Sequence, residues 1–309
     1  MDVRDAAGRL LANRHAVFGL IFVGVVVLGA LLAPLLAPAA PETMDATARL
    51  APPSLAHPFG TDDFGRDLLS RVLYGARISL QVGLIAIAVS TLLGLVVGLV
   101  AGYARGWVDS VVMRVMDVVM AFPSVLLALF IMAALGSSLR NVVIAVSAAY
   151  IPFFARITRG QVLTLVETPF VEASRAAGAS HVRLVVRHVF PNVIPLLIVQ
   201  ATTNLAFAVL AESSLSYLGL GTQPPDPSWG RMLTEARPWM NKAPWLSIFP
   251  GLALMALVIG SNLLGDGLRD ALDPRLRGST RARRRRVGRL DRLAEARSSV
   301  PIVADGGKT

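Results

Sequence analysis

Long apolar runs separated by short polar stretches dominate this chain. A membrane span needs about 20 mostly apolar residues, and Ala16 to Leu36, Ile78 to Tyr103, Val115 to Leu135, Val193 to Leu210 and Trp245 to Leu264 meet or approach that length. Asn141 to Ile157 is shorter and carries Pro152 and Arg156, but leaving it out would put the flanking charges on the wrong sides. The pattern therefore predicts an all-α membrane protein with six transmembrane helices, at about 16–36, 78–103, 115–135, 141–157, 193–210 and 245–264. Pro123, Pro152 and Pro250 interrupt three of them and permit bends.

Three polar segments are organised rather than random. Pro169 to Pro195 lies between two spans. Thr168 suits an N-cap, Pro169 a first helical turn and Glu172 its positive end, while Gly178 suits the left-handed position that closes a helix. Ser180 then caps a second helix through His181 and Arg183 to Phe190, which Pro191 stops or bends. Phe170, Ala173 or Ser174, and Ala177 share one face, which serves either as a docking surface or as the lipid-facing side of a plain connector. Thr61 to Arg77 opens with capping residues and spaces Phe64, Leu68, Val72 and Ala76 four apart, predicting an amphipathic helix along the outer membrane surface. Gly219 to Met232 holds three prolines and Trp229, which reads as exposed, and predicts a fixed loop that meets a partner or packs at the interface.

Composition and charge agree with the spans. The chain has 309 residues, 54% of them hydrophobic and 16% charged, too apolar for an ordinary soluble domain. Of its 30 basic residues, Arg49, Arg66, Arg71, Arg77, Arg140, Arg231, Arg237 and Lys242 fall in segments placed outside and the others inside, so both termini are expected in the cytoplasm. The first apolar run is longer than the roughly 7–15 residues of a signal core, so an uncleaved anchor is expected despite Ala37, Pro38 and Ala39 after it. The net charge of +10 rests partly on Arg281 to Arg286 in a basic tail, 279–309, which suits anionic headgroups and topology better than nucleic acid. From Gly288 that tail lacks an apolar period and is expected to be disordered or loosely helical.

Candidate chemistry is sparse. There is no cysteine, and His15, His57, His181 and His188 make no ligand pair at helical spacing, so no metal site is expected. The terminal Gly-Lys-Thr lacks the earlier glycine of a phosphate loop and has no helix after it. No catalytic set stands out. Gln200, Thr203, Asn204 and Phe207 share one face of the fifth span and either line a solute path or bond neighbouring helices. Asp117 is expected to pair with Arg114, and Glu212 lies near the outer end of the fifth span.

Glu172, Ala173, Gly178 and Pro191 resemble the cytoplasmic loop signature of ATP-binding-cassette importer permeases, with Ser174 for its third alanine and His188 and Phe190 where isoleucine and leucine are commoner. GTDDFGRDLLSRVLYGARISL from Gly60, SSLSYLGLGTQPPDPSWGRML from Ser213 and GDGLRDALDPRLR from Gly265 resemble the dipeptide, oligopeptide and nickel permeases, "C" type subunit. The resemblance, from about Arg9 to Arg277, implies a type I importer permease fold in the bacterial plasma membrane. It implies a second permease subunit, one or two cytoplasmic ATPases holding ATP and Mg, an extracytoplasmic solute-binding protein, and no cofactor on this chain. By that resemblance Glu172, Ala173, Ser174, Gly178, His188, Phe190 and Pro191 couple to the ATPase within loop 158–192. Pro224, Pro225 and Trp229 are the expected binding-protein contacts. Peptides lead as solutes, with a nickel chelate as the alternative; a scaffold that passes no solute is the reading from a different class.

Overall fold

The computed structural model describes Gly8 and residues 10–272. Residues 1–7 and the basic tail 279–309, with its arginine run and Gly-Lys-Thr, lie outside the described residues. Among the described residues all regular structure is helical, apart from an isolated bridge between Thr61 and Asp67.

Five helices are long and apolar enough to cross a membrane. Helix α1 (Arg14–Leu31) begins where the Asn13 side chain accepts from the His15 and Ala16 amides, and a short turn, Ala33–Leu36, follows it. Helix α2 (Leu68–Ala104) has 37 residues and is about 55 Å long, well beyond the hydrocarbon thickness. Helix α5 (Leu139–Val166) follows Ser138, whose hydroxyl accepts from the Asn141 amide. Helix α7 (His181–Tyr217) and helix α9 (Trp245–Leu272) complete the five. Pro152 and Pro250 sit inside continuous helices and break neither.

The expected span 115–135 is not one helix. Helices α3 (Gly106–Met120) and α4 (Ser124–Leu135) meet at 88°. Pro123 permits the break, because it lacks an amide donor and biases Phe122 away from helical geometry. No residue of α3 is buried.

The predicted surface helix 61–77 also needs correction. Residues 61–67 are non-helical, with Gly65 at φ +74. The cap is Asp67, whose carboxylate accepts from the Ser70 amide at 2.8 Å and so starts α2 at Leu68. Leu68, Val72 and Ala76 do share a face, but it is buried among helices, and Phe64 is exposed.

Two apolar cores fill the bundle. One joins α2, α4, α5 and α7 through Val82, Met132, Val146, Phe154 and Leu197. The other joins α1, α2, α7, α9 and helix α8 (Trp229–Ala236) through Val26, Leu68, Val209, Trp229 and Leu257. Small residues bring backbones together where lipid gives no drive for helix association. Gly94, Gly98 and Gly102 form a four-residue repeat on α2, and a Cβ at any of them would run into α5 at Phe154, Ala155, Thr158 or Val162. Gly19, Gly260 and Gly267 do the same between α1 and α9.

Candidate functional site

The segment after α5 folds back as helix α6 (Pro169–Ala176), with Thr168 as N-cap and Pro169 in its first turn. Its end is a Schellman turn. The Gly178 amide donates to the Arg175 carbonyl at 3.0 Å and the Ala179 amide to the Ser174 carbonyl at 3.1 Å. This geometry requires a left-handed residue, and Gly178 has φ +81. No atom lies within 4 Å of where its Cβ would stand, so the constraint there is the backbone angle and not space.

Only Val171 of α6 is buried. Phe170, Ala173 and Ala177 form an exposed face, with Glu172 and Arg175 also exposed beside it. Ser174 is half-buried, and its hydroxyl donates to the Phe170 carbonyl. Ser180 starts α7 by accepting from the Arg183 amide. The Phe170 and His188 rings approach to 6.2 Å, Tyr103 and His181 are hydrogen-bonded at 2.7 Å, and Arg105 reaches Glu167 at 3.0 Å. Of these contacts the Phe170–His188 approach links α6 to the first turns of α7, where His188 and Phe190 are half-buried and Pro191 is exposed.

Pro191 does not stop α7. The helix widens over Val185–Val189 into a π turn in which the Phe190 amide reaches back to Val185, and it then runs on past Pro191 and Pro195. A wider turn accommodates the proline rings and the missing donors.

The polar face of α7 divides. Thr203 bonds its own helix at Val199 and packs against Gly265 of α9. Asn204 is buried and donates to the Gln200 carbonyl, whereas Gln200 is half-buried and Phe207 exposed. Gln200 and Phe207, two turns apart, form the open line of this face.

At the opposite end of α7, Pro224 and Pro225 are exposed but Trp229 is not. Its ring is 1% exposed, and its indole N–H donates to the Val72 carbonyl at 3.0 Å. The prolines fix the loop upstream, and Ser228 caps α8 so that Trp229 turns inward against Gly75. Trp229 is a core anchor, correcting its reading as an exposed contact.

Sequence reasoning missed the polar networks. Beside Trp229, Arg66 meets Asp62 at 2.6 Å, Arg71 meets Glu235 at 2.8 Å and Arg231 meets Glu235 at 2.9 Å. The signal was present as opposite charges four residues apart, at Asp62 and Arg66 and at Arg231 and Glu235. Asp63 beside them has its pKa raised, by burial first and by Asp62 second. Glu212 is buried and accepts from the Ser79, Ser213 and Ser216 hydroxyls, joining α2 to α7. Asp117 pairs with Arg156 rather than with Arg114, and Arg159 grips both Asp109 oxygens, so two ion pairs tie α3 to α5. Among the described residues no group of three or more His, Asp or Glu side chains could hold a metal ion.

Comparison with known proteins explains this arrangement. Residues 94–278 match the model of the binding-protein-dependent transport system inner membrane component, and residues 3–53 that of the N-terminal TM domain of oligopeptide transport permease C. A putative peptide transport system permease protein of Brucella abortus is 48% identical over 271 residues, 88% of this chain and 91% of the relative. The dipeptide transport system permease protein DppC of Alkalihalophilus pseudofirmus is 44% identical over 274 residues, 89% of this chain and 90% of the relative. The glutathione transport system permease protein GsiD of Escherichia coli is 48% identical over 226 residues, 73% of this chain and 75% of the relative. Among solved structures, an inward-facing MetNI methionine ABC transporter matches with a TM-score of 0.55 at 19% identity, covering 65% of this chain and 96% of that one, a likeness of fold. With a family model spanning more than half its length, this chain belongs to the binding-protein-dependent transport system inner membrane components, as a multi-pass transport permease of the bacterial inner membrane.

Proposed function

We propose that this chain is one permease subunit of an ATP-driven importer of peptides. It pairs with a second permease subunit, takes solute from an extracytoplasmic binding protein and is driven by cytoplasmic ATPases that hold ATP and Mg. The observation that carries the reading is α6, a capped helix anchored by Val171 alone whose Phe170, Ala173 and Ala177 face is open for another protein. Relatives named as peptide, dipeptide and glutathione permeases support the solute class.

In this reading the α6 end and both termini are cytoplasmic, and α6 is the lever. Glu172, Ala173, Ser174, Gly178, His188, Phe190 and Pro191 meet the ATPase. Nucleotide drives transport only if its two states bind α6 differently, because a ligand shifts an equilibrium only by its differential affinity. The open line of Gln200 and Phe207, flanked by Thr203 and Asn204, borders the solute path. Exposed Pro224 and Pro225 meet the binding protein.

The test uses membranes that hold all subunits, with uptake of a labelled dipeptide as readout. Gly178→Val forces a β-branched residue to positive φ and is expected to abolish uptake at normal membrane insertion. Gly178→Asn, which tolerates that angle, is expected to retain most of it. Normal uptake by a well-inserted Gly178→Val protein would sink the coupling assignment. ATP-dependent accumulation of a nickel chelate but of no peptide would overturn the solute class.

A further inference from the structure

Away from α6 and the polar face of α7, a groove of about 340 Å³ opens between α1 and α2 on the bundle surface. Val27, Ala30 and Leu31 form one wall, and Leu80, Leu84 and Ile85 the other, with Arg77 and Gln81 at the rim. Leu31, Leu84 and Ile85 are exposed, so the groove is apolar and unfilled by the described residues. No carboxylate lines it.

Arg77 stands immediately before the apolar run that starts at Ile78, which on the span boundaries read from the sequence puts it next to the edge of the hydrocarbon. Among the described residues its guanidinium has no acidic partner and lies over the Tyr74 ring at 5.8 Å. The other two arginines in the first turns of the chain after Gly65, Arg66 and Arg71, are paired with Asp62 and Glu235. An unpaired cation at this depth calls for an anion or for water. Tyr74, Arg77, Gln81 and Leu84 follow helical spacing, so a cation, an amide and an apolar surface succeed one another down one face into the groove.

We propose that this groove holds one anionic phospholipid, with its phosphate on Arg77, its glycerol ester region at Gln81 and an acyl chain against Leu80, Leu84, Ile85 and Val27. The order of cation, amide donor and apolar wall matches the order of groups along such a lipid. A neutral or zwitterionic lipid fills the apolar part equally but leaves the arginine without a net negative partner. The lipid braces α1 against α2 at a place where the two helices leave space.

The purified transporter, in nanodiscs of equal phosphatidylglycerol and phosphatidylethanolamine, is returned to detergent and its retained lipids are counted by native mass spectrometry. Retained phosphatidylglycerol is expected to exceed phosphatidylethanolamine about five-fold, as for one basic side chain at an anionic headgroup. Arg77→Gln is expected to bring the ratio to parity, Arg77→Lys to keep most of it, and Arg140→Gln, an exposed arginine outside the groove, to leave it unchanged. Leu84→Trp fills the groove from its exposed side and is expected to lose the lipid with Arg77 intact. Parity in the unaltered protein, a preference surviving Arg77→Gln, or an equal loss in Arg140→Gln would each overturn the site. Should Arg77→Gln fail to assemble, Leu84→Trp decides, and phosphatidylglycerol retained in it overturns the site. The chain has no cysteine, so Leu84→Cys gives a single thiol, and cross-linking of that thiol to a second subunit in place of lipid also overturns it.

Discussion

The two ends of the helical bundle use the same kinds of charged residue for opposite purposes. At the α8 end, Asp62, Arg66, Arg71 and Glu235 close on one another behind Trp229, and the Arg71 side chain is 2% exposed. At the α6 end, Arg105 and Glu167 pair with side chains 46% and 71% exposed, and α6 keeps a single buried residue. Burial separates the two cases. A charge removed from water must keep its partner or cost several kcal/mol, whereas an exposed pair contributes little. The α8 end is therefore locked by buried charge and the α6 end is not, which is the difference that the proposed coupling role of α6 requires.

The largest effect that can break this comparison is at Arg71. Arg71→Met leaves Glu235 with Arg231 and a longer contact to Arg66, and removes the ion pair between α2 and α8. The expected loss is about 3 kcal/mol, at the lower edge for a broken buried pair because Glu235 keeps other partners. Thermal unfolding of the purified protein in detergent measures it. A change no larger than that of an exposed pair would mean the α8 end is not locked by charge.

Gly98→Leu comes next and probes what lies between the ends. Its side chain would enter the Ala155 backbone and the Thr158 side chain of α5, at the middle of the glycine repeat of α2. Overpacking of this kind costs roughly 1–3 kcal/mol. The expected outcome is a lower unfolding temperature for the whole bundle, with the α6 turn itself unaltered.

These predictions also mark what could be read from residue order. Four of the five spanning helices follow directly from apolar runs, the one over Leu139–Val166 from the sides on which its flanking charges must lie, and Gly178 was legible because a Schellman turn needs a left-handed residue at a fixed place after a helix. The break at Pro123 was visible only as a possibility, since Pro152 and Pro250 share its chemistry and lie in unbroken helices. Local sequence says that a donor is missing; the packing of neighbours decides whether the helix bends. Trp229 was misread for a related reason, because its partner Val72 is 157 residues away. The pairing of Asp117 with Arg156 was hidden in the same way, by a partner on another helix. Periodicity reports which residues share a face, as with Leu68, Val72 and Ala76, but not whether lipid or protein meets that face.

The smallest effect is the sharpest control. Glu167→Gln removes the carboxylate that Arg105 reaches at 3.0 Å at the base of α6, and both side chains already face water. The expected cost is under about 1 kcal/mol, the usual worth of an exposed pair, and it should shrink further at high salt. Dipeptide uptake by Glu167→Gln is expected to stay close to that of the unaltered protein, because α6 keeps Val171 as its anchor and Gly178 as its stop. If this substitution instead lowered stability as much as Arg71→Met, the α6 end would be locked by charge as firmly as the α8 end. Under the proposed coupling role, an α6 end locked in that way could not respond to the small difference in binding energy between two nucleotide states, so the measurement bears on that proposal as well as on the pair.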